Sequence, residues 1–350
     1  MRIGMPMPFS NDVAASAGAI ADFESAGLDV VFVAEAYTFD AVSQLGYLAA
    51  KTSTVQIASG ILNVYSRTPA LLAMTAAGLD FVSGGRFLLG LGASGPQVVE
   101  GFHGMPYTAP LARTREVVEI CRSVWRREPL DHQGRYVKAP LRAGDGGSGL
   151  GKPLKLINHP VRERVPMLLA ALGPKNVALA AELFEAWEPI FFLPEQAGSA
   201  FGEALAEGTA KRDPSLGLLE IYADTRVLVT EDPEEEEEAL AAVRAHLALY
   251  IGGMGARGKN FYNDLAVRYG FPDEAATVQD LFLSGRKAEA AAALPDELVR
   301  GVSLVGPRGR VAERIAAFAE AGVTALVASP VGEDHAARLA SIEALADLAR

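Results

Sequence analysis

Short apolar segments alternate with longer segments of helical periodicity along most of the chain. The segment Leu28–Ala34 (LDVVFVA) is almost continuously apolar, which is typical of a strand buried on both faces of a parallel sheet. The first four strand–helix units fit a barrel or a doubly wound sheet, and the full set of eight favours a closed (β/α)8 TIM barrel, an α/β fold. Predicted strands begin at Ile3, Leu28, Val55, Arg86, Pro166, Ala186, Tyr222 and Val323.

Two irregular regions interrupt this alternation. Residues 128–163 contain several prolines and the tract GDGGSGLGKP, and residues 252–301 contain most of the segment YIGGMGARGKNFYNDLAVRYGF, which starts at Tyr250. We interpret both regions as insertions in a single barrel domain spanning residues 1–350. Val302–Val305 is an extra apolar piece of the second insertion.

Composition and charge narrow the class of protein. Half of the 350 residues are hydrophobic, so a large core can form. A formal charge of −11 argues against binding to nucleic acid or to an anionic membrane surface. No apolar run is long enough to cross a bilayer, and the first residues lack the features of a signal peptide, so we expect a soluble, cytoplasmic protein.

The remaining polar signals point away from metals and disulfides. Cys121 is the one cysteine and lies in a helical pattern, which predicts a buried, inert thiol. His132, His159, His246 and His335 have no ligand spacing, and we assign no metal. The acidic run Glu231–Glu238 follows a predicted Asp-Pro helix start, so we interpret it as a solvated helix face rather than a site.

Polar and aromatic residues follow the third strand in the stretch SGILNVYSRTP, from Ser59 to Pro69. In a barrel the carboxyl ends of the strands carry the ligand site, so this tip is a candidate floor of that site; the alternative is an ordinary strand-to-helix loop. Similar loops should converge on the same end of the barrel. They contain Glu35, Tyr37 and Asp40 after strand two, Asn63, Tyr65 and Arg67 after strand three, Gly92, Ser94 and Gly95 after strand four, and Gly173, Pro174, Lys175 and Asn176 after strand five.

The turn Gly173–Asn176 has the most specific chemistry of these loops. A glycine at a strand end followed by a helix presents free N–H groups and a positive dipole end to an anion, and Lys175 adds charge. A plain helix start with Pro174 at its first position is the alternative. The stretch Gly90–Gly95 (GLGASG) lacks the GxGxxG spacing of a dinucleotide site and is interpreted as backbone that a flat ligand or phosphate can approach closely.

Over nearly its whole length the chain resembles the luciferase-like monooxygenase superfamily, and within it the actinobacterial-type branch that uses coenzyme F420, a deazaflavin. The resemblance is carried by RIGMPMP, LDVVFVAE, GILNVYSRTPA, GRFLLGLGASG, AALGPKNVALAAE and the segment from Tyr250. The segment GGMG…NFYN is the feature that most narrows it to a deazaflavin subgroup.

The resemblance implies a non-proline cis peptide at the end of strand three, at Gly60–Ile61, which supports the back of the cofactor ring. Asn63 and Arg67 would face the cofactor. The turn Gly173–Asn176 would bind its phosphate. Gly92, Ser94 and Gly95 would lie beside its ring and ribityl chain. Partners for the phosphate and the anionic tail would be Arg67, Lys175, Arg257 and Lys259.

A deazaflavin transfers a hydride at C5, so the protein must supply or accept a proton. Glu35, an expected isolated carboxylate at the end of a buried strand, is our first choice and should have a raised pKa. Tyr37 and Tyr65 are candidate donors to a substrate oxygen. The sugar-phosphate dehydrogenases of the family place a histidine after the acidic residue of strand two, where this chain has Ala36, so His103 with Glu100 is a candidate replacement.

Three functions stay open at this point. The first is an F420-dependent oxidoreductase acting on a small organic substrate, working as a homodimer or higher homo-oligomer. The second is a monooxygenase that uses flavin mononucleotide (FMN) on the same fold. The third is a relative that binds the cofactor without catalysis, or a barrel that acts on phosphorylated substrates without redox chemistry.

Overall fold

The computed structural model describes residues 1–332 and 334–350. Its strands, in chain order, are β1 (Arg2–Pro6), β2 (Val30–Val33), β3 (Gln56–Ser59), β4 (Leu62–Asn63), β5 (Phe87–Gly92), β6 (His132–Gln133), β7 (Lys138–Ala139), β8 (Met167–Ala170), β9 (Ala186–Glu188), β10 (Glu220–Val229), β11 (Leu304–Gly306) and β12 (Ala325–Pro330).

The helices surround these strands. They are α1 (Val13–Ser25), α2 (Ala41–Lys51), α3 (Pro69–Val82), α4 (Pro96–Val99), α5 (Pro110–Trp125), α6 (Pro174–Leu183), α7 (Pro194–Thr209), α8 (Pro233–Ala248), α9 (Phe261–Arg268), α10 (Pro272–Leu283), α11 (Lys287–Ala292), α12 (Asp296–Gly301), α13 (Arg308–Glu320) and α14 (His335–Leu348). Short 3-10 turns span Ala143–Asp145 and Pro214–Leu216, and a π-helical turn spans Leu249–Gly253.

Eight parallel strands close into a barrel, as predicted. The order is β1, β2, β3, β5, β8, β9, β10 and β12, and β12 pairs back onto β1 with Ile3 opposite Leu326. Each predicted strand start lies within two residues of the observed one. The extra piece predicted at Val302–Val305 is β11, which pairs with the last residues of β10.

Alternation of side chains along the strands separates two apolar layers. One set points outward and packs under the helices. The other fills the lower barrel and consists of Val30, Phe32, Ala58, Leu88, Leu168, Ala186, Tyr222, Ala325 and Val327. At the amino end of the strands, the Arg2 guanidinium donates to the Tyr222 hydroxyl at 2.6 Å and to the Gln56 side chain at 2.8 Å. The carboxyl end, which we call the mouth, therefore begins one inward position above this filled layer.

The helix starts follow their sequence signals with one correction. Asp232 caps α8 and Pro233 is its first residue, so the acidic run forms the first turns of a helix, as predicted. Ser10 and Asn11 are the caps that the sequence predicts for α1, but the cap is Asp12, whose side chain accepts a hydrogen bond from the Ala15 N–H at 2.9 Å. Within the described ranges, none of the helices combines the length and the apolar character that a membrane crossing requires.

Both irregular regions have ordered structure. The first contains the small antiparallel hairpin β6–β7 and the first 3-10 turn. The second continues from the π-helical turn into α9, α10, α11 and α12. Asn260 holds this second region together, because its side chain donates to the carbonyls of Tyr250 at 2.9 Å and Ile251 at 3.0 Å and also caps α9.

Candidate active site

The tip of β3 rests on the glycines of β5. Ser59 Oγ donates to the Gly90 carbonyl at 2.8 Å and accepts from the Gly90 N–H at 2.9 Å, and the Gly60–Ile61 bond is cis, as predicted. A Cβ at Gly90 would lie 1.8 Å from the Ser59 carbonyl oxygen, and one at Gly92 would lie 2.9 Å from the Ile61 side chain. Gly90 and Gly92 therefore make room for the strand tip, and the close approach of a ligand to this glycine stretch stays a prediction.

Asn63 is buried just past this tip. Its Oδ1 accepts from the Tyr65 N–H at 2.8 Å, and its buried Nδ2 has no hydrogen-bond partner in the part of the chain that the structure describes. A buried amide nitrogen without an acceptor is uncommon and marks a place where a ligand or water oxygen would be stabilised.

The Tyr65 hydroxyl is engaged within the protein. Its hydroxyl donates to the Thr108 carbonyl at 2.9 Å, and burial raises its pKa to about 12. Because the proton is already used inside the protein, the structure does not favour the predicted donation from Tyr65 to a substrate oxygen.

Glu35 and Arg67 form a bidentate ion pair. Glu35 Oε1 lies 2.5 Å from Arg67 Nη1 and Oε2 lies 2.8 Å from Nη2, while the Ala41 N–H also donates to Oε2 at 3.0 Å. Burial by itself would raise the pKa of Glu35, but these hydrogen bonds and the charge of Arg67 outweigh burial and hold the pKa below its usual value. The prediction of an isolated Glu35 with a raised pKa is wrong, and Arg67 is not a free cation facing a cofactor.

Tyr37 and His103 lie on different parts of this side of the mouth. Tyr37 is 70% exposed at the rim, with its ring 6.3 Å from that of Phe102. His103 lines a cavity of about 660 Å³ between the loop after β4, α5 and the β6–β7 hairpin, together with Tyr65 and Arg67. The structure thus gathers His103, Tyr65 and Arg67 around one cavity, whereas Glu100 accepts from the Tyr107 N–H at 3.1 Å and is turned to its own loop.

The predicted anion turn opens α6. Gly173 is the N-cap with no side-chain hydrogen bond, and a Cβ placed there would meet nothing within 4 Å. The N–H groups of Asn176 and Val177 bond to the Gly173 carbonyl, at 2.9 and 3.0 Å, so the Lys175 N–H and the exposed Lys175 ammonium remain to meet an anion. Arg257 is not available in the same way, because it pairs with Asp280.

A group of charged residues on β9 and β10 was not predicted from the sequence. Glu188 follows the inward-facing Ala186, and Asp224 and Arg226 follow the inward-facing Tyr222, so all three point into the mouth. Burial and the nearby Asp224 raise the pKa of Glu188 to about 8, and burial raises that of Asp224 to about 6, although Arg226 opposes this. The sequence does contain a pattern that indicates them. In AWE and in YADTR, charged residues stand two or four positions after an inward-facing residue of an apolar strand.

An aromatic wall stands beside these charges and is made of Phe191, His246, Tyr250 and Tyr262. The ring of Phe191 lies 5.4 Å from that of His246 and 5.3 Å from that of Tyr250. Arg226 Nη2 lies 3.2 Å from His246 Nδ1, and because burial lowers the pKa of His246 to about 4, this nitrogen accepts from Arg226 as part of a neutral ring. Tyr250 and Tyr262, from the segment that starts at Tyr250, thus line one side of the mouth.

Comparison with known proteins decides the family. The model of the luciferase-like monooxygenase family matches residues 1–325. The chain belongs to this family. It is 44% identical over 326 residues to a Mycobacterium tuberculosis protein that its name assigns to the coenzyme F420-dependent oxidoreductases, with 92% of each chain covered.

Two archaeal proteins extend this comparison. The 5,10-methylenetetrahydromethanopterin reductase of Archaeoglobus fulgidus is 30% identical to the chain over 319 residues, which are 89% of this chain and 88% of the reductase. The structure of the coenzyme F420-dependent tetrahydromethanopterin reductase of Methanopyrus kandleri superposes with a TM-score of 0.80 at 21% identity, covering 99% of this chain and 97% of that one. The latter likeness confirms the luciferase-like TIM barrel.

The mouth of this luciferase-like barrel is suited to an organic cofactor with an anionic group. The tip of β3, the loop after β5 and the turn before α6 follow strands that are neighbours in the barrel, so they share one side of the mouth. Among the described residues, no three His, Cys, Asp or Glu side chains are grouped to hold a metal ion. The uncapped start of α6 and the buried Asn63 amide are features that an anionic organic cofactor would fit.

Proposed function

We propose that this luciferase-like oxidoreductase uses coenzyme F420 and transfers a hydride between the deazaflavin C5 and a small organic substrate bound in the mouth. The observation that carries the proposal is the open helix start at Gly173, which lies on the same side of the mouth as the glycine-supported tip of β3. The 44% identity to a protein named as F420-dependent supports the choice of a deazaflavin.

The cofactor phosphate would bind at Gly173–Asn176. There the Lys175 N–H, the positive end of the helix and the Lys175 ammonium all favour an anion. Lys259 is the other cation that we propose for the tail. A multiply charged tail needs such residues in a chain with a formal charge of −11.

The cofactor ring would lie beside Gly60–Ile61 and the loop Gly92–Gly95. Ser94 has a positive φ of 56°, so this loop turns sharply as it leaves β5. The unpaired Asn63 Nδ2 is positioned to meet a ring oxygen if the ring settles against this tip. When bound, a deazaflavin supplies or accepts a hydride, and the protein orients the reactants and excludes water.

The roles of Glu35 and Arg67 follow from their ion pair. We propose that Glu35 fixes Arg67 and the start of α2 beside the cofactor, and that it does not carry the reaction proton, because its pKa is held low. Tyr37 at the rim and His103 in the neighbouring cavity stay predictions as residues that contact the substrate.

The direct test is a binding titration of purified protein with oxidised F420 and, in parallel, with FMN. We expect F420 to bind more tightly than FMN, and Lys175→Ala to weaken F420 binding about three- to tenfold because one charged contact is lost. Lys211→Ala is the matched control, since Lys211 lies at the end of α7 and pairs with Glu207. Tight FMN binding without F420 binding would contradict the proposal.

Self-association also stays a prediction. Leu71, Met74, Phe81 and Val82 lie on one face of α3 and are 47% to 67% exposed. An exposed apolar stripe of this kind supports a homodimer. Light scattering of the purified protein tests it, and a monomeric mass would contradict it.

A further inference from the structure

We propose that Glu188 is the acid/base residue of this site, with Asp224 and Arg226 setting its protonation from the neighbouring strand. This inference rests on the proposed hydride-transfer function. It assigns the reaction proton to the β9–β10 side of the mouth, and not to Glu35.

Glu188 lies at the carboxyl end of β9, where its side chain enters the mouth. It is the last residue of β9, paired with Ala170 of β8, and its side chain stands one inward position above Ala186 in the filled layer. Tyr222 of β10 is its lateral neighbour, and Asp224 lies one step further toward the mouth, where its N–H donates to the Pro189 carbonyl at 3.1 Å. Glu188 is therefore the deepest carboxyl group on this side that still has an accessible face.

Glu188 and Asp224 also lack protein partners. Within residues 1–332 and 334–350, neither side-chain carboxyl group takes part in a hydrogen bond or an ion pair within 4.0 Å. A buried carboxyl group without such bonds holds its proton more strongly than one in water, and two neighbouring carboxyl groups resist ionising together. Both groups are therefore available to a ligand in a way that Glu35 is not.

The charged and titratable groups around Glu188 come from four elements. The inward residue of β8 at this level, Ala170, adds no charge. The others are Tyr222, Asp224 and Arg226 of β10, together with the groups that lie next to Asp224 and Arg226, namely His246 of α8 and Tyr250 of the π-helical turn, which has Tyr37 of the loop after β2 beside it. His246 is neutral beside Arg226, and the Tyr222 hydroxyl is bound to Arg2 at the other end. Asp224 is therefore the charge that acts on Glu188, and Arg226 acts on Asp224.

The raised pKa of Glu188, about 8, suits a proton donor that works near neutral pH. In the reducing direction, a bound reduced deazaflavin would supply the hydride for a new C–H bond at the substrate carbon. The electron pair of the substrate C=X bond takes the proton of Glu188 to form X–H. Glu188 is left as a carboxylate and the cofactor is oxidised by two electrons. In the reverse direction, the Glu188 carboxylate accepts the X–H proton.

Infrared titration of the protein tests the protonation directly, without any turnover. The wild type should show a protonated carboxyl band that disappears with a midpoint near pH 8, and Glu188→Gln should lose this band. In Asp224→Asn the midpoint should fall by about one pH unit, because a neighbouring negative charge is removed. A wild type with no carboxyl group titrating above pH 6 would overturn the inference.

Kinetics then separate this inference from the proposed function. With reduced F420 and an acceptor selected from small carbonyl compounds, Glu188→Gln should lower kcat about 10²-fold or more and abolish the basic limb of the pH profile, while the Kd for F420 stays within about threefold. Glu220→Gln, at the exposed amino end of β10, is the matched control and should behave like the wild type. F420 binding and turnover with an unchanged kcat and pH profile in Glu188→Gln would overturn this inference alone, whereas a wild type that does not bind F420 would overturn the proposed function and with it this role.

Discussion

The two sides of the barrel mouth differ in whether their carboxyl groups are paired with a cation. On the side built by β2 to β5, Glu35 and Arg67 neutralise each other through two short hydrogen bonds. On the side built by β9 and β10, Glu188 and Asp224 are half-buried with no such partner among the described residues. A carboxylate in an ion pair fixes the positions of the two side chains, whereas an unpaired carboxyl group can still give or accept a proton.

This difference shows why position after a strand is not enough to assign a role. Glu35 and Glu188 both lie at the carboxyl end of a barrel strand and both are largely enclosed by protein. Their pKa values move in opposite directions because only Glu35 has a cation and an N–H group beside it. The partner, and not the burial, decides which carboxyl group can carry a proton at neutral pH.

The largest expected effect comes from breaking the paired side. Arg67→Met leaves Glu35 buried without its cation, and we expect a loss of about 3 kcal/mol in the free energy of unfolding, measured by urea denaturation. Arg286→Met removes a similar but exposed Arg–Glu pair at the start of α11 and should leave the free energy of unfolding almost unchanged. Equal losses in the two variants would show that the Glu35–Arg67 pair holds nothing in place.

On the unpaired side, Glu188 should make the stability of the protein depend on pH. The folded-state pKa of Glu188 is raised from about 4.5 to about 8, so the folded state binds more protons than the unfolded state in this window. Stability of the wild type relative to Glu188→Gln should therefore fall as pH rises through this range. We expect a change on the order of 2 kcal/mol, smaller than the full shift because the mouth admits water.

Urea denaturation of both proteins at pH 5, 6.5 and 8 measures this effect. The low pKa of Glu35 has the opposite sign, since its contribution is lost only as pH falls through its depressed folded-state pKa. A stability difference between wild type and Glu188→Gln that does not vary with pH would contradict the comparison.

A smaller effect distinguishes two glycines at the mouth. Gly90→Ala places a Cβ against the Ser59 carbonyl and should cost about 1–3 kcal/mol of unfolding free energy, because backbone must move. Gly173→Ala meets open space and should change stability by only about 0.5 kcal/mol. Thermal unfolding of both variants checks the contrast, and a well-tolerated Gly90→Ala would mean that β5 does not support the tip of β3.

The smallest effect is expected far from the mouth. Glu237 lies exposed in the first turns of α8, within the acidic run that we interpret as a solvated helix face. Glu237→Gln should change stability by less than about 0.5 kcal/mol and leave cofactor binding unchanged. A clear loss of F420 binding in this variant would show that the acidic run contributes to a binding site and is not only a solvated helix face.

The barrel could be predicted from the sequence because each strand is a short apolar run bounded by turn residues. The start of α3 at Pro69 and of α8 at Pro233 followed from local signals alone. The cap of α1 was misplaced by one or two residues because Ser10, Asn11 and Asp12 are all good capping residues.

The site was less predictable because its chemistry depends on contacts between distant residues. Glu35 and Arg67 are 32 positions apart in the chain, so no local sequence pattern predicts their ion pair. The Gly60–Ile61 cis bond was anticipated from the family resemblance and not from residue preferences. Glu188, Asp224 and Arg226 could have been found from their period-two spacing, which places charges on the inward face of predicted barrel strands.

A crystal structure of the protein with oxidised F420 bound tests the central claim most directly. We expect the ring in the mouth beside Gly60–Ile61, the phosphate at Gly173–Asn176, and C5 on the side that faces the substrate space next to Glu188. A cofactor bound elsewhere, or one whose reactive face points to Glu35 with Glu188 outside the substrate space, would contradict it.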